Sequence, residues 1–443
     1  MNYCKRCLYP ENHPYGMIFD KKGICMGCRI HEEKNFLDWN KRLEKLKKIV
    51  HNNTKDRGNK EFDCIIPVTG GGDSYFIVHT AKNILGLNPL LVNYNSHFNT
   101  HIGVRNLANL TTVFDCDLIS STLSPELVKR ITKFTLKNYG SIYWQVLAGY
   151  LTFPVQIAVK FRIPLIIWGV QPWSEQIGMF SHLDESEMTE RCRLEHGLMG
   201  ISAEDILSEC SEFNFKELAS FIYPNDKDIE SLGLRGIYLS NYIRWDAKTQ
   251  HEKMIEMYGY ESCAQERTFN TYEDVHCFHS AGLHDYLKFL KLGYSKITDH
   301  ASREIRLGRM SRERGIELVE KYTEKYPSDF NTFLNWLDIK EDYLYAAINK
   351  FRDPRIWQLK RNRWVLKDKV SNHIDDDGVK NARLSYIDDC VYKETSKNDS
   401  VQKKQKYLLM GRGYIDRYNY GAHEDQPKGS MTKRNWKEEN LNK

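Results

Sequence analysis

Apolar residues fall into two patterns along this chain. Residues 64–68, 89–95, 116–120 and 164–169 are short, mostly apolar runs without alternation, closed by glycine or polar residues. They predict strands of a buried parallel sheet. Between them apolar positions follow helical patterning. Tyr75, Phe76, Ile77 and Val78 continue through Ala81, Ile84 and Leu85, with Gly86 placed to stop a helix. Residues 104–113 predict a second helix, and Ser124-Pro125-Glu126 opens a third with a cap and a proline at its first position. Residues 143–159 are apolar but interrupted by Gln145, Thr152, Pro154 and Gln156, which predicts a buried helix and no membrane span. Upstream, Phe36, Trp39, Leu43, Leu46 and Val50 step by three and four, an amphipathic helix leading into the first strand. Strands alternating with helices make an α/β fold whose ligand is expected at the strands' carboxyl ends, here Thr69, Asn95, Ser120 and Gly169.

The first of those ends is chemically marked. Residues 64–74 read Cys-Ile-Ile-Pro-Val-Thr-Gly-Gly-Gly-Asp-Ser, an apolar strand that breaks into glycines at the start of a helix. Free N–H groups of such a turn converge on one spot, and glycine lets backbone approach a phosphate closely. The spacing fits neither the Walker nor the dinucleotide glycine pattern. It resembles the Ser-Gly-Gly-x-Asp-Ser signature of the PP-loop ATP pyrophosphatases, with Thr69 at the first serine position. That resemblance implies ATP held by Thr69, Gly70, Gly71, Gly72, Asp73 and Ser74, with Asn93, Tyr94 and Gly169 lining the nucleotide. Asp73 would reach Mg2+ or orient a phosphate, and Ser74 would bond pyrophosphate; Asp73 also suits a helix first turn as a partner of its dipole. Many relatives carry lysine where this chain has Gly72, so magnesium or another basic group must neutralise the leaving pyrophosphate.

Cysteine usage adds a second site. Of eleven cysteines, Cys4, Cys7, Cys25 and Cys28 form two Cys-x2-Cys knuckles, the pattern of a closed structural Zn2+ ribbon, with an iron–sulfur cluster as its rival. The odd total argues against a disulfide framework. The net charge is +5, and from Lys397 onward eleven Lys and Arg stand against six Asp and Glu. The body is therefore balanced and lacks the charge footprint of a nucleic-acid binder. With no apolar leader after Cys4-Lys5-Arg6, a cytoplasmic protein is expected. The expected organisation is a zinc ribbon (1–32), a linker helix (33–60), a PP-loop domain (61–260) with an insertion near 180–230, a mostly helical region (261–395) and a basic tail (396–443). Residues 184–212 are rich in acids and read as a surface insertion or lid.

Further on, 236–246 (GIYLSNYIRWD), 284–294 (HDYLKFLKLGY) and 298–312 (TDHASREIRLGRMSR) follow the ribbon and glycine turn. As an ordered set they resemble the N-acetyl sugar amidotransferases of bacterial surface-polysaccharide pathways, WbpG- and PseA-like proteins. The resemblance covers about residues 1–370. Arg303, Arg306 and Arg309 recur at spacing three with His300 on the same face, suited to phosphates or carboxylates, or else to pairing with Glu304 and Glu313. Asp246, Asp274, Asp285 and Asp299 are further acid, base or metal candidates, and Glu175 and Gly178 follow the fourth strand.

The resemblance implies an ATP-dependent amidotransferase. Asp73, Ser74, Arg303 and Arg306 would be its catalytic residues. It would adenylate the acetamido group of a nucleotide sugar and replace AMP with ammonia to give an acetamidino sugar, for lipopolysaccharide O-antigen or flagellin glycan. No glutaminase constellation is present, so a separate glutaminase would supply ammonia, with a cyclase-like ammonia-channel subunit as a further partner. The alternative is a PP-loop enzyme of tRNA thiolation, which would need an RNA surface and reactive cysteines.

Overall fold

The computed structural model describes residues 1–374 apart from 16, 18, 21, 56–60, 183 and 184. The expected tail at 396–443 and the end of the expected helical region lie outside the described residues.

Five parallel strands make the central sheet: β1 Cys64–Pro67, β2 Pro89–Asn95, β3 Leu118–Thr122, β4 Leu165–Trp168 and β5 Arg235–Tyr238, in the order β3-β2-β1-β4-β5. Register runs from Cys64 opposite Pro89 to Pro67 opposite Val92 on one flank of β1, and Ile65 pairs with Ile166 on the other. The order reverses at β1, so a crevice opens between the carboxyl ends of β1 and β4. Both faces are covered, which explains why the strands read as unbroken apolar runs. Ile65, Leu90, Val92 and Ile166 pack with Leu151, Val155 and Ala158 of α6 (Trp144–Phe161). Cys64, Ile66, Leu91 and Ile167 pack on the other side with α3 (Gly72–His79), with Leu46 and Val50 of α2 (Trp39–Thr54) and with Met254.

Elements depart from the sequence expectations where end chemistry intervenes. Strand β3 begins two residues later than expected. The preceding helix α4 (His101–Phe114) ends on Asp115 in the left-handed region (φ 48°), and Cys116 N–H returns to Thr111 O at 3.2 Å. That cap uses the residues that would have opened the strand. Likewise α2 starts at Trp39, behind an Asp38 cap that accepts Lys41 N–H, and leaves Phe36 outside and exposed. Strand β5 has no sequence signature of its own, because four residues carry too little pattern.

The acidic stretch 184–212 divides: Glu204, Glu209 and Glu212 lie at the surface as expected, but its first part does not. Glu185, Glu187 and Glu190 are buried, and each carboxylate meets a cation: Arg42 and Lys45, Arg235, and Arg193. Charges that suggested exposure are matched inside instead. The carboxyl-terminal region is mostly helical, as expected, with one added hairpin, β6 Trp357–Lys360 and β7 Arg363–Leu366. The amino-terminal knuckles pack onto it: Tyr3 and Leu8 share a core with Ile297, Ala301, Ile305, Ile316 and Val319. Among the described residues no single helix is long and apolar enough to cross a membrane.

Candidate functional site

The glycine turn links β1 to α3 at the reversal point of the sheet. Its polar side chains shape it from within. Ser74 Oγ accepts the Thr69 N–H at 2.9 Å, and Thr69 Oγ1 accepts the Gly71 N–H at 3.1 Å. Ser74 therefore keeps its own hydroxyl hydrogen to donate. A Cβ on Gly70 would lie 2.1 Å from Gly103 O, so that glycine is required by the close approach of α4. Asn106 on α4 donates to Gly70 O at 3.2 Å and fixes the turn from the same side. Asp73 sits in the first turn of α3, where its charge favours the helix dipole, and its side chain is 44% exposed.

A segment from the carboxyl-terminal half crosses this turn. Thr100 Oγ1 and N–H donate to Val275 O and His276 O, and Asn99 bridges to Cys277. The imidazole of His276 reaches Gly71: a Cβ there would lie 3.1 Å from His276 Nδ1. Asp274 receives Lys296 Nζ at 2.6 Å, and Glu273 receives both terminal nitrogens of Arg303 at 2.7 and 2.6 Å. His300 adds Nε2 at 3.1 Å from Glu273 and Nδ1 at 2.8 Å from Thr268 Oγ1. Burial pushes the Glu273 carboxyl up, but the Arg303 guanidinium wins and brings it down to about 2. Burial acts the same way on Asp274, and Lys296 overrides it, holding that carboxyl well below its usual range. The imidazole of His276 is held low, first by burial, so it is poised neutral. His251 closes the other side of the turn, with Nε2 2.8 Å from Asp73 Oδ1.

The structure disperses the expected basic face. Arg303 goes to Glu273 beside the turn, while Arg309 is shared between Asp246 and Glu304. Arg306 turns into the cysteine cluster, with one nitrogen 3.6 Å from Cys7 Sγ and 3.4 Å from Cys25 Sγ. The same guanidinium donates to Glu175 O and Gln176 O, and the Glu175 carboxylate pairs with buried Lys34 at 2.6 Å. Glu175 and Gln176 lie in the short helix Pro172–Ile177, which Gly178 caps at φ 69°, and a Cβ on Gly178 would meet Met26 O at 2.4 Å. Asp285 is committed to Arg267 and the Lys296 N–H, and Asp299 to Tyr9 and Lys288.

The remaining nucleotide candidates divide. Asn93 is tied across the strand ends, donating to Val68 O and accepting from Ser120 Oγ, both at 2.9 Å. Gly169 lies beside α3, where a Cβ would fall 2.9 Å from Ile77. Tyr94 points to α6 instead: its hydroxyl donates to Gln145 Oε1 at 2.8 Å, and its ring packs on Gly149. His251, Glu273, His276 and Lys296 were not singled out in the sequence. The density of ionisable residues in Tyr272-Glu273-Asp274-Val275-His276 is the signal for Glu273 and His276, whereas His251 and Lys296 carry no local pattern.

Cys4, Cys7, Cys25 and Cys28 are buried, with their four sulfurs within 4.8 Å of one another. Individual separations are 3.9 Å for Cys4–Cys28 and 3.6 Å for Cys7–Cys25 and Cys25–Cys28. A tetrahedral ion with bonds of about 2.3 Å sets sulfurs about 3.8 Å apart. A four-iron cube binds each thiolate to a different iron and spreads them further. The cluster therefore fits one tetrahedral ion such as zinc. Backbone N–H groups of Arg6, Cys7 and Cys25 point at Cys4 Sγ, and Arg306 adds positive charge, as a tetrathiolate requires.

Residues 266–371 match the family described as LPS biosynthesis protein WbpG-like, C-terminal domain. The 273–276 segment over the glycine turn lies within the matched residues. Over 119 residues, 26% of this chain, it is 28% identical to the uncharacterized protein MJ1599 of Methanocaldococcus jannaschii, and it spans 41% of that relative's length. Among solved structures, it is similar to the NH3-dependent NAD synthetase of Campylobacter jejuni (13% identity, 49% of this chain, 95% of that one, TM-score 0.27). It is also similar to the U34-tRNA thiolase NcsA of Methanococcus maripaludis (13% identity, 74% and 91%, TM-score 0.26). A third likeness is to the NMN synthetase of Francisella tularensis (15% identity, 33% and 60%, TM-score 0.26).

Proposed function

We propose that this chain is an ATP-dependent, AMP-forming amidotransferase that converts the acetamido group of an N-acetylated nucleotide sugar into an acetamidino group for surface-polysaccharide biosynthesis. The observation that carries this reading is the composite site: a glycine turn at the sheet's reversal point, overlaid by ionisable residues within the WbpG-like match. The turn supplies backbone donors and the Ser74 hydroxyl to phosphate oxygens. Magnesium would be held by the free oxygen of Asp73, since a carboxylate beside phosphates is favourable only with a cation between them.

An amide is a poor electrophile, and adenylation solves that. The acetamido oxygen attacks the α-phosphorus of ATP, the bond to the bridging oxygen breaks, and pyrophosphate leaves with that electron pair. Ammonia then adds to the imidoyl carbon, the carbon–oxygen bond breaks, and AMP leaves. His276, held neutral beside Gly71, is placed to accept a proton in this second step. Lys296 and Arg303, each fixed by a carboxylate, offer positive charge to the sugar's phosphates. The zinc ion would be structural, because four thiolates leave it no open position. Ammonia would come from a separate glutaminase in the cytoplasm.

The test is to incubate purified protein with ATP, isotope-labelled ammonia and acetamido nucleotide sugars. The expected result is AMP and pyrophosphate with label in the sugar. AMP formed only with tRNA and a sulfur donor would instead establish thiolation. That chemistry needs a reactive thiolate near the turn, whereas burial pushes the Cys277 thiol up.

A further inference from the structure

His251 comes from the helix Ala247–Tyr258, 178 residues after Asp73, yet its ring fills the space where any side chain at position 72 would go. A Cβ on Gly72 would lie 2.6 Å from His251 Cδ2 and 2.9 Å from Nε2. The ring is locked: its side chain is 2% exposed, with Tyr272 edge-on at 5.2 Å and Tyr260 at 5.9 Å. Its Nδ1 is buried with no partner among the described residues. Among the described residues its one polar contact is Nε2 to Asp73 Oδ1 at 2.8 Å.

Asp73 is the opposite kind of group. Its side chain is 44% exposed, and His251 is its one side-chain partner among the described residues. A half-exposed carboxylate at a helix start samples several rotamers. A single hydrogen bond from a buried, immobile imidazole selects one of them, and leaves Oδ2 free. With the proton on Nε2, the imidazole donates and the carboxylate keeps its charge. The turn has therefore exchanged a side chain at position 72 for a donor delivered from a distant helix.

We propose that His251 is a positioning residue that aims Asp73 at the magnesium of bound MgATP. This rests on the ATP-dependent reading above. Calorimetric binding of MgATP and of ATP without metal, to the full chain, tests it. His251→Leu is expected to weaken MgATP binding tenfold or more while leaving metal-free ATP within threefold. His251→Gln, whose amide N–H can still reach Asp73, is expected to stay within threefold of wild type for both. Asp73→Asn and the double variant Asp73→Asn/His251→Leu should lose the same amount. Equal MgATP binding by His251→Leu and wild type overturns the inference alone, as do additive losses in the double variant. If His251→Leu does not fold, His251→Gln decides: a tenfold loss of MgATP binding there counts against the inference. Wild-type protein that fails to bind ATP at all removes the reading on which it rests.

Discussion

At the scale of single residues, the glycine turn shows what a local motif can and cannot disclose. Thr69 to Ser74 were legible because their chemistry is contained in consecutive residues: two hydroxyls that accept turn N–H groups and glycines that permit close backbone approach. Gly72 was legible only as a missing side chain. Its reason, the His251 ring, lies 178 residues from Asp73 and carries no local pattern. Gly72→Ala tests the steric half of this relation. The new methyl would fall 2.6 Å from a ring that Tyr260 and Tyr272 prevent from retreating. Overpacking of this kind costs about 1–3 kcal/mol. A lowered unfolding midpoint in urea with unchanged slope is expected, together with weaker MgATP binding. Combining it with His251→Ala should restore most of the stability lost to the methyl, since the obstructing ring is then gone.

Among elements, the helix Lys296–Arg306 joins the two sites. One part of it reaches the glycine turn region through Lys296, His300 and Arg303; its last residue, Arg306, reaches the thiolates of Cys7 and Cys25. Sequence spacing places His300, Arg303 and Arg306 on one face, but helical periodicity cannot say which neighbour each side of that face will meet. The result is that the cysteine cluster buttresses the helix whose Lys296 and Arg303 hold the acidic segment packed over the glycine turn. Removing the metal should therefore loosen more than the knuckles. With a strong chelator, the expected outcome is faster proteolysis near residues 296–312 as well as near 1–33, while β1 to β4 stay protected. Arg306→Met leaves a buried tetrathiolate without its nearest counter-charge, and breaking such a pairing is costly. Metal competition with a chromogenic chelator should show zinc released at least tenfold more readily from this variant. Unchanged zinc affinity would mean that backbone N–H groups alone satisfy the thiolates.

Over the whole molecule, the sheet was readable because burial on both faces makes its strands continuous apolar runs, whereas the closing contacts between chain ends were not. The knuckles pack on the carboxyl-terminal helices, and this long-range joining buries ionisable groups that a sequence displays as surface charge. Its consequence is acid sensitivity. Burial, reinforced by Lys288 and by Lys291 respectively, lowers His13 and His284 to about 3 from 6.5. A lowered histidine binds its proton in the unfolded chain first, so its stabilising effect is complete above 6.5 and is lost as pH falls toward 3. Glu273, brought down to about 2 from 4.5 by Arg303 against the effect of burial, adds a loss of the same sign between those values. Urea unfolding should therefore give a stability that declines steadily from pH 7 to pH 4. His284 stacks on Tyr143 at 4.4 Å, so His284→Phe keeps the ring contact while removing the titration. That variant should show a shallower decline than wild type between pH 6.5 and 4, and an equal slope would mean that the imidazole is protonated in the folded protein at no cost.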